Sequence, residues 1–165
     1  MSFTLPKPNL LKPKIPGVVA IGLLAAQFLL FGTGSNSEPK CDLTIERPHL
    51  STYLKEYKNI EALKINVISK CNVPQKRTDL VARIETISDN SQKVAYTFKA
   101  TSAFPNNKSP NRATFENLFV ECFSVRPTLY LAKASGQVYL RDGKVIPVNG
   151  SSDKFIAVPC QIKAK

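Results

Sequence analysis

The sequence predicts an all-β fold, an immunoglobulin-like β-sandwich of about seven to eight strands, preceded by one amino-terminal transmembrane helix. Three observations carry this. Beyond Ser35, apolar and polar residues alternate with period two in one run after another, turn residues separate those runs, and no charged residue occurs from Ile15 to Asn36.

The uncharged stretch sets the topology. From Pro16 to Thr33 the chain reads PGVVAIGLLAAQFLLFGT. At roughly 1.5 Å per residue a helix of this length crosses a thin hydrocarbon core. Pro16 suits the first turn, where its missing amide costs nothing. Lys7, Lys12 and Lys14 precede the stretch without an acid among them, and the nearest acid after it is Glu38. That bias places the amino terminus inside and the carboxyl terminus outside the cell membrane. The expected organisation is a basic, Pro/Lys-rich cytoplasmic tail (1–15), a signal-anchor in the lipid bilayer (16–33), a linker (34–40) and an extracytoplasmic β-domain (41–165). The alternative is a secreted domain released by cleavage near Gly34, because Gly32, Thr33 and Gly34 supply the small residues that a signal peptidase accepts.

In the outer part, Leu63, Ile65, Val67, Ser69 and Cys71 alternate with Lys64, Asn66, Ile68 and Lys70, which predicts a half-buried strand. Strands are likewise expected over 42–47, 79–88, 93–101, 128–132 and 154–162. Val94, Tyr96 and Phe98 share a face in the run 93–101. Over 114–125 both faces are apolar, which predicts a central strand. Runs 137–141 and 144–148 flank Asp142-Gly143, a strong hairpin signal. Ser51 is placed to cap a short helix reaching Asn59, with Leu54 and Tyr57 aligned on one side.

Cys41, Cys71, Cys122 and Cys160 all follow the apolar stretch, and an even number in an exported chain predicts two disulfides. If the first two outer strands run antiparallel, Cys41 comes beside Cys71, leaving Cys122 for Cys160. Cys71 with Cys122, across the two sheets, is the competing pairing. A metal site is not expected, since there is no Cys-x-x-Cys and the single histidine, His49, is remote in sequence from every cysteine.

Cys41, the step Arg47-Pro48-His49-Leu50-Ser51, Lys70-Cys71, and then Cys122, Tyr130, Gly136, Gly143 and Cys160 resemble small secreted bacterial disulfide-bonded β-domains of unknown function that begin with Cys and Pro-His-x-Ser. The resemblance implies secretion and a disulfide-braced β fold, and no activity.

The chain has 23 bases and 12 acids, a net charge of +11. Three of the bases precede the apolar stretch, which leaves 20 against all 12 acids and a net +8 on the outer part. Such a surface favours anionic partners. A dispersed, solvated surface is the plain reading, because no block of five or six like charges occurs. Lys76, Arg77, Lys108, Arg112 and Arg126, expected in loops, are the candidate contacts for an anionic envelope polymer or protein.

An enzyme is not expected. His49 and Ser51 lack an orienting acid in sequence, and the histidine ring is expected to bond a strand end after Pro48. No phosphate loop or calcium loop occurs, no cofactor is implied, and nucleic-acid binding is not expected, because the aromatics beside basic residues fit a core better. The expected function is an anchored envelope binding module, with an accessory subunit of a membrane complex as the alternative.

Overall fold

The computed structural model describes residues 37–88, 91–103 and 108–163. The expected tail, membrane helix and cleavage position fall in residues 1–36, outside the described residues. Among the described residues no helix is long and apolar enough to cross a membrane.

The compact unit that begins at Glu38 is built from β1 (Cys41–Ile45), β2 (His49–Leu50), α1 (Thr52–Lys58), β3 (Ala62–Cys71), β4 (Gln75–Ser88), β5 (Ser91–Ala103), β6 (Arg112–Glu121), β7 (Ser124–Leu140), β8 (Val145–Ser151) and β9 (Ile156–Gln161). All pairings are antiparallel and form two sheets. In the first sheet β3 is central: Val67 pairs with Ile45 of β1 on one side and Phe115 of β6 on the other, and β2 follows β1 along the same edge. In the second the order is β5, β4, β7, then β8 and β9 in tandem.

The alternation on β3 buries Leu63, Ile65 and Val67 completely. They pack against Leu80, Ala82 and Ile84 of β4 and Tyr130, Ala132 and Ala134 of β7 in one core between the sheets. Each such aliphatic side chain contributes roughly 1.5–3 kcal/mol by leaving water. A smaller cluster of Cys41, Cys71, Val138, Leu140 and Val148 closes one end. The fold is therefore an all-β sandwich of two antiparallel sheets.

The disulfides join Cys41 to Cys71 and Cys122 to Cys160, the expected pairs. The first links register partners within one sheet, and the second ties the end of β6 to β9 in the opposite sheet. The competing Cys71–Cys122 pairing is excluded. The helix also follows expectation at its ends, since Ser51 accepts from the Leu54 amide and Asn59 closes it in the left-handed region at φ 54°. Leu54 is buried, but Tyr57 is 74% exposed and stacks on Tyr53 instead of facing the core.

Three expectations change. There are nine strands among the described residues rather than seven to eight; two-residue β2 had no periodic signal, and runs 128–132 and 137–141 are a single strand, β7. β6 is an edge strand, pairing only with β3 among the described residues. The register slips between Ile65/Leu118 and Val67/Phe115, so β6 spends two residues, Glu116 and Asn117, opposite Asn66. This bulge inverts the phase of the alternation, and the apolar residues before and after it point into the same core. A second slip leaves Ala95 as the extra residue between Val94 and Tyr96. Tyr96 and Phe98 stay packed on the core, Ala95 is buried, and Val94 turns outward, 47% exposed.

Gly136 explains the continuity of β7. A Cβ there would clash with the Asp79 carbonyl oxygen and lie 2.8 Å from the Leu80 Cα, so only glycine lets β7 approach β4 this closely. Gly136→Ala is expected to cost about 1–3 kcal/mol through backbone displacement. Urea unfolding at equilibrium measures it, and an unchanged midpoint would contradict this packing. Gly143, at φ 90°, turns the chain between β7 and β8 as the Asp142-Gly143 signal predicts.

Candidate functional site

One end of the sandwich is formed by four segments distant in sequence: Glu38 to Cys41, the β3–β4 connection, residues 108–112 leading into β6, and the β7–β8 turn. Buried Gln75 holds them together. Its backbone amide donates to the Pro110 carbonyl (2.8 Å) and its side-chain Nε2 donates to the carbonyls of Asn111 (2.8 Å) and Ser69 (3.2 Å). Its Oε1 accepts from the hydroxyls of Thr78 (2.7 Å) and Ser69 (3.3 Å). All three side chains are buried, and every polar group of the Gln75 amide has a partner, as burial requires. Gln75 also pairs with Leu140, which brings in the β7–β8 turn. Asn72 fixes the start of the domain: its amide donates to the Lys40 carbonyl (3.0 Å), its Oδ1 accepts from the Lys40 amide (2.8 Å), and its Nδ2 donates to the Glu38 carbonyl (3.1 Å).

This scaffold gathers cations. Lys40, Lys70, Lys76, Arg77, Lys108, Arg112, Arg141 and Lys144 are all exposed here, against the acids Glu38, Asp42, Asp79 and Asp142. Lys70 and Arg112 stand directly opposite each other in the β3–β6 register, with Asp42 on the other side of Lys70. Like charges so placed repel, and only part of that repulsion is offset by the neighbouring carboxylate. A cleft of about 310 Å³ lies among Lys70, Lys108, Ser109, Pro110, Asn111 and Arg112. A second, of about 390 Å³, is lined by Lys76, Arg77, Ala103, Tyr139, Leu140 and Gly143. Gln75 connects them, being adjacent to Lys76 and bonded to Asn111.

Arg77 is the most firmly oriented of these cations. Its Nε donates to Asp79 Oδ2 at 3.1 Å, and its guanidinium carbon lies 4.0 Å from the centre of the Tyr139 ring. A cation seated on a ring face gains roughly 0.5–1 kcal/mol at an exposed position, enough to bias the rotamer. Tyr139 is held in turn by its hydroxyl, which donates to Gln137 Oε1 at 2.9 Å.

Four of the five sequence-expected contacts, Lys76, Arg77, Lys108 and Arg112, meet at this end. They are not all in loops as expected: Lys76 and Arg77 open β4, Arg112 opens β6, and Lys108 alone of the four is in a connection. The fifth, Arg126, also lies on a strand, 14 residues before Leu140 on β7. At about 3.3 Å per residue it lies up to some 45 Å along the strand from Leu140. Lys70, Lys40, Arg141 and Lys144 join the site without having been singled out, because membership depends on register between strands far apart in sequence. Gln75 was missed for the same reason, since a single polar residue in a turn-rich stretch carries no periodic mark.

His49 and Ser51 are both committed to structure. The ring Nδ1 donates to the Arg47 carbonyl at 2.9 Å, as expected for a strand end, while the Ser51 hydroxyl oxygen caps α1. Among the described residues no group of histidine, cysteine, aspartate and glutamate side chains could hold a metal ion. Comparison with known proteins finds no matching family model, no similar curated protein and no similar solved structure, so the reading of this chain rests on its own residues.

Proposed function

We propose that this chain is a membrane-anchored extracytoplasmic binding module, in which residues 16–33 hold an immunoglobulin-like sandwich outside the cell membrane and its basic end meets an anionic partner. The observation that carries this reading is the convergence of Lys70, Lys76, Arg77, Lys108 and Arg112 on one end, braced by Gln75 and by the Cys41–Cys71 bond. Two disulfides with no free cysteine support an oxidising compartment. The strand order supports the immunoglobulin-like label. β1, β3 and β6 stand where strands A, B and E stand in that fold, and β5, β4, β7 and β8 follow the order C′, C, F and G. The absence of tryptophan and the position of the inter-sheet disulfide depart from antibody domains.

The test is binding of the full chain to a soluble polyphosphate across a salt series. Binding should weaken steeply with salt, and Lys70→Glu with Arg112→Glu should reduce it about tenfold or more at low ionic strength. Arg126→Glu, far from the cluster, should leave it unchanged. Reversing both members of the Lys70–Arg112 pair preserves their mutual repulsion but sets the new carboxylate at 70 against Asp42, so the melting temperature is measured alongside as the control for folding. No binding by the unaltered chain even at low salt would remove the proposal.

A second reading, an accessory subunit of a membrane complex, is favoured by the opposite end of the sandwich. There Tyr53, Tyr57, Phe123 and Val125 are all more than half exposed, beside the junction where the Cys122 amide bonds the Glu61 carbonyl. Aromatic side chains of this kind are enriched in protein–protein contacts. Sizing in mild detergent separates the two readings, since a subunit would run within a larger assembly.

A further inference from the structure

We infer that the anionic partner of the basic end is the phospholipid headgroup layer of the leaflet from which the chain emerges, an inference that rests on residues 16–33 acting as an anchor. The chain joins the domain at the basic end itself. Glu38 and Lys40 are bonded to Asn72, and the Cys41–Cys71 bond follows at once, so the point of attachment is held beside Lys70. Between an anchor ending at Thr33 and Glu38 lie residues 34–37. The five steps from Thr33 to Glu38 extend to about 17 Å at most. The headgroup region covers roughly the first 5–7 Å of that distance. The remaining gap is of the order of the screening length, about 8 Å at physiological salt, which brings the cations beside Glu38 within the field of the lipid surface.

The character of the end agrees with headgroups better than with a protein. A protein interface has an apolar centre inside a polar rim. Among the described residues the exposed side chains around Lys70, Lys108 and Arg112 are mainly polar or charged, Pro74, Ala103 and Val145 being scattered apolar exceptions at this end, while exposed Tyr53, Tyr57 and Phe123 lie at the far end. The basic end is therefore suited to rest on a charged layer without inserting, and it leaves the aromatic end turned away from the membrane. Wall polymer could offer the same anionic chemistry, but the linker delivers these cations to lipid first.

The experiment places the full chain in nanodiscs of phosphatidylcholine alone or of equal parts phosphatidylcholine and phosphatidylglycerol. An uncharged amine-reactive reagent labels the lysines, and mass spectrometry reads the rates. Anionic discs should slow labelling of Lys70, Lys76 and Lys108 by about threefold or more, with the difference lost at high salt, while Lys58 on α1 keeps the same rate in both. Equal rates at Lys70 and Lys108 in the two discs would overturn the inference. Polyphosphate added to the neutral discs then identifies what failed. Protection by polyphosphate but not by anionic lipid keeps the anion-binding reading and assigns it to another polymer, whereas protection by neither removes both. A chain that does not enter the discs overturns the anchor, and this inference with it.

Discussion

Replacing Cys122 and Cys160 together with alanine is expected to destabilise the folded domain by about 4 kcal/mol. The bond spans 38 residues of sequence and ties the two sheets together. In the chain-entropy model, restricting a loop of that length in the unfolded chain contributes about this much. The packing compounds the effect. Cys160 is completely buried in the main core, and its carbonyl accepts the Tyr130 hydroxyl at 3.0 Å. The same hydroxyl oxygen accepts the Ile162 amide at 3.1 Å, so β9 is held to β7 immediately beside the bond. The double substitution avoids leaving a lone thiol. Unfolding in urea should show the loss together with a somewhat steeper slope, because the unbridged chain unfolds to a more expanded state, and the melting temperature should fall by on the order of 10 °C. A loss below about 1 kcal/mol would mean that the sheets are held by side-chain packing without help from the bridge.

Gln75→Leu is expected to cost on the order of 3 kcal/mol, the largest effect of a single substitution. Leucine fills most of the same volume, so the cost is mainly polar. It removes the partner of the Ser69 and Thr78 hydroxyls and the side-chain donor to the Ser69 carbonyl, while the Asn111 carbonyl loses one of two donors and keeps the Cys71 amide at 2.9 Å. Leaving a buried donor or acceptor unsatisfied costs about 1–3 kcal/mol, reduced where a hydroxyl can rotate to another acceptor. The functional consequence is separate from stability. The bond from Gln75 Nε2 to the Asn111 carbonyl positions the segment carrying Lys108 and Arg112, so its loss should speed amide exchange in the residues around Asn111 and weaken polyanion binding below the melting point. Exchange unchanged at Arg112 would show that the backbone bonds from Gln75 to Pro110 and from Cys71 to Asn111 are sufficient to hold that segment.

Much of the fold was legible because its signals are local. The alternation on β3, the Asp142-Gly143 turn and the Ser51 cap each depend on residues within one or two turns or strand repeats of each other. The Cys41–Cys71 pairing was legible for a related reason, since antiparallel pairing of two neighbouring strands fixes which of their ends meet. Errors arose where a long-range contact resets a local pattern. The slips at Ala95 and at Glu116–Asn117 inverted the phase of alternation, so Val94 was assigned inward and β6 was assigned a central position. Gly136, which resembles a strand break in sequence, is an approach point for a neighbouring backbone.

The candidate site divides in the same way. The excess of bases, the sidedness of charge around the apolar stretch and the placement of all four cysteines beyond it are properties of the chain read in order, and with them the expectations of an anchor, an exported domain and an anionic partner. Which bases lie together was decided only by the tertiary structure. Register placed Lys70 opposite Arg112, Gln75 drew residues 108–112 to the start of β4, and the length of β7 carried Arg126 away from the others. Composition determines the sign of a surface, whereas strand register, which couples residues tens of positions apart, determines where that charge is concentrated.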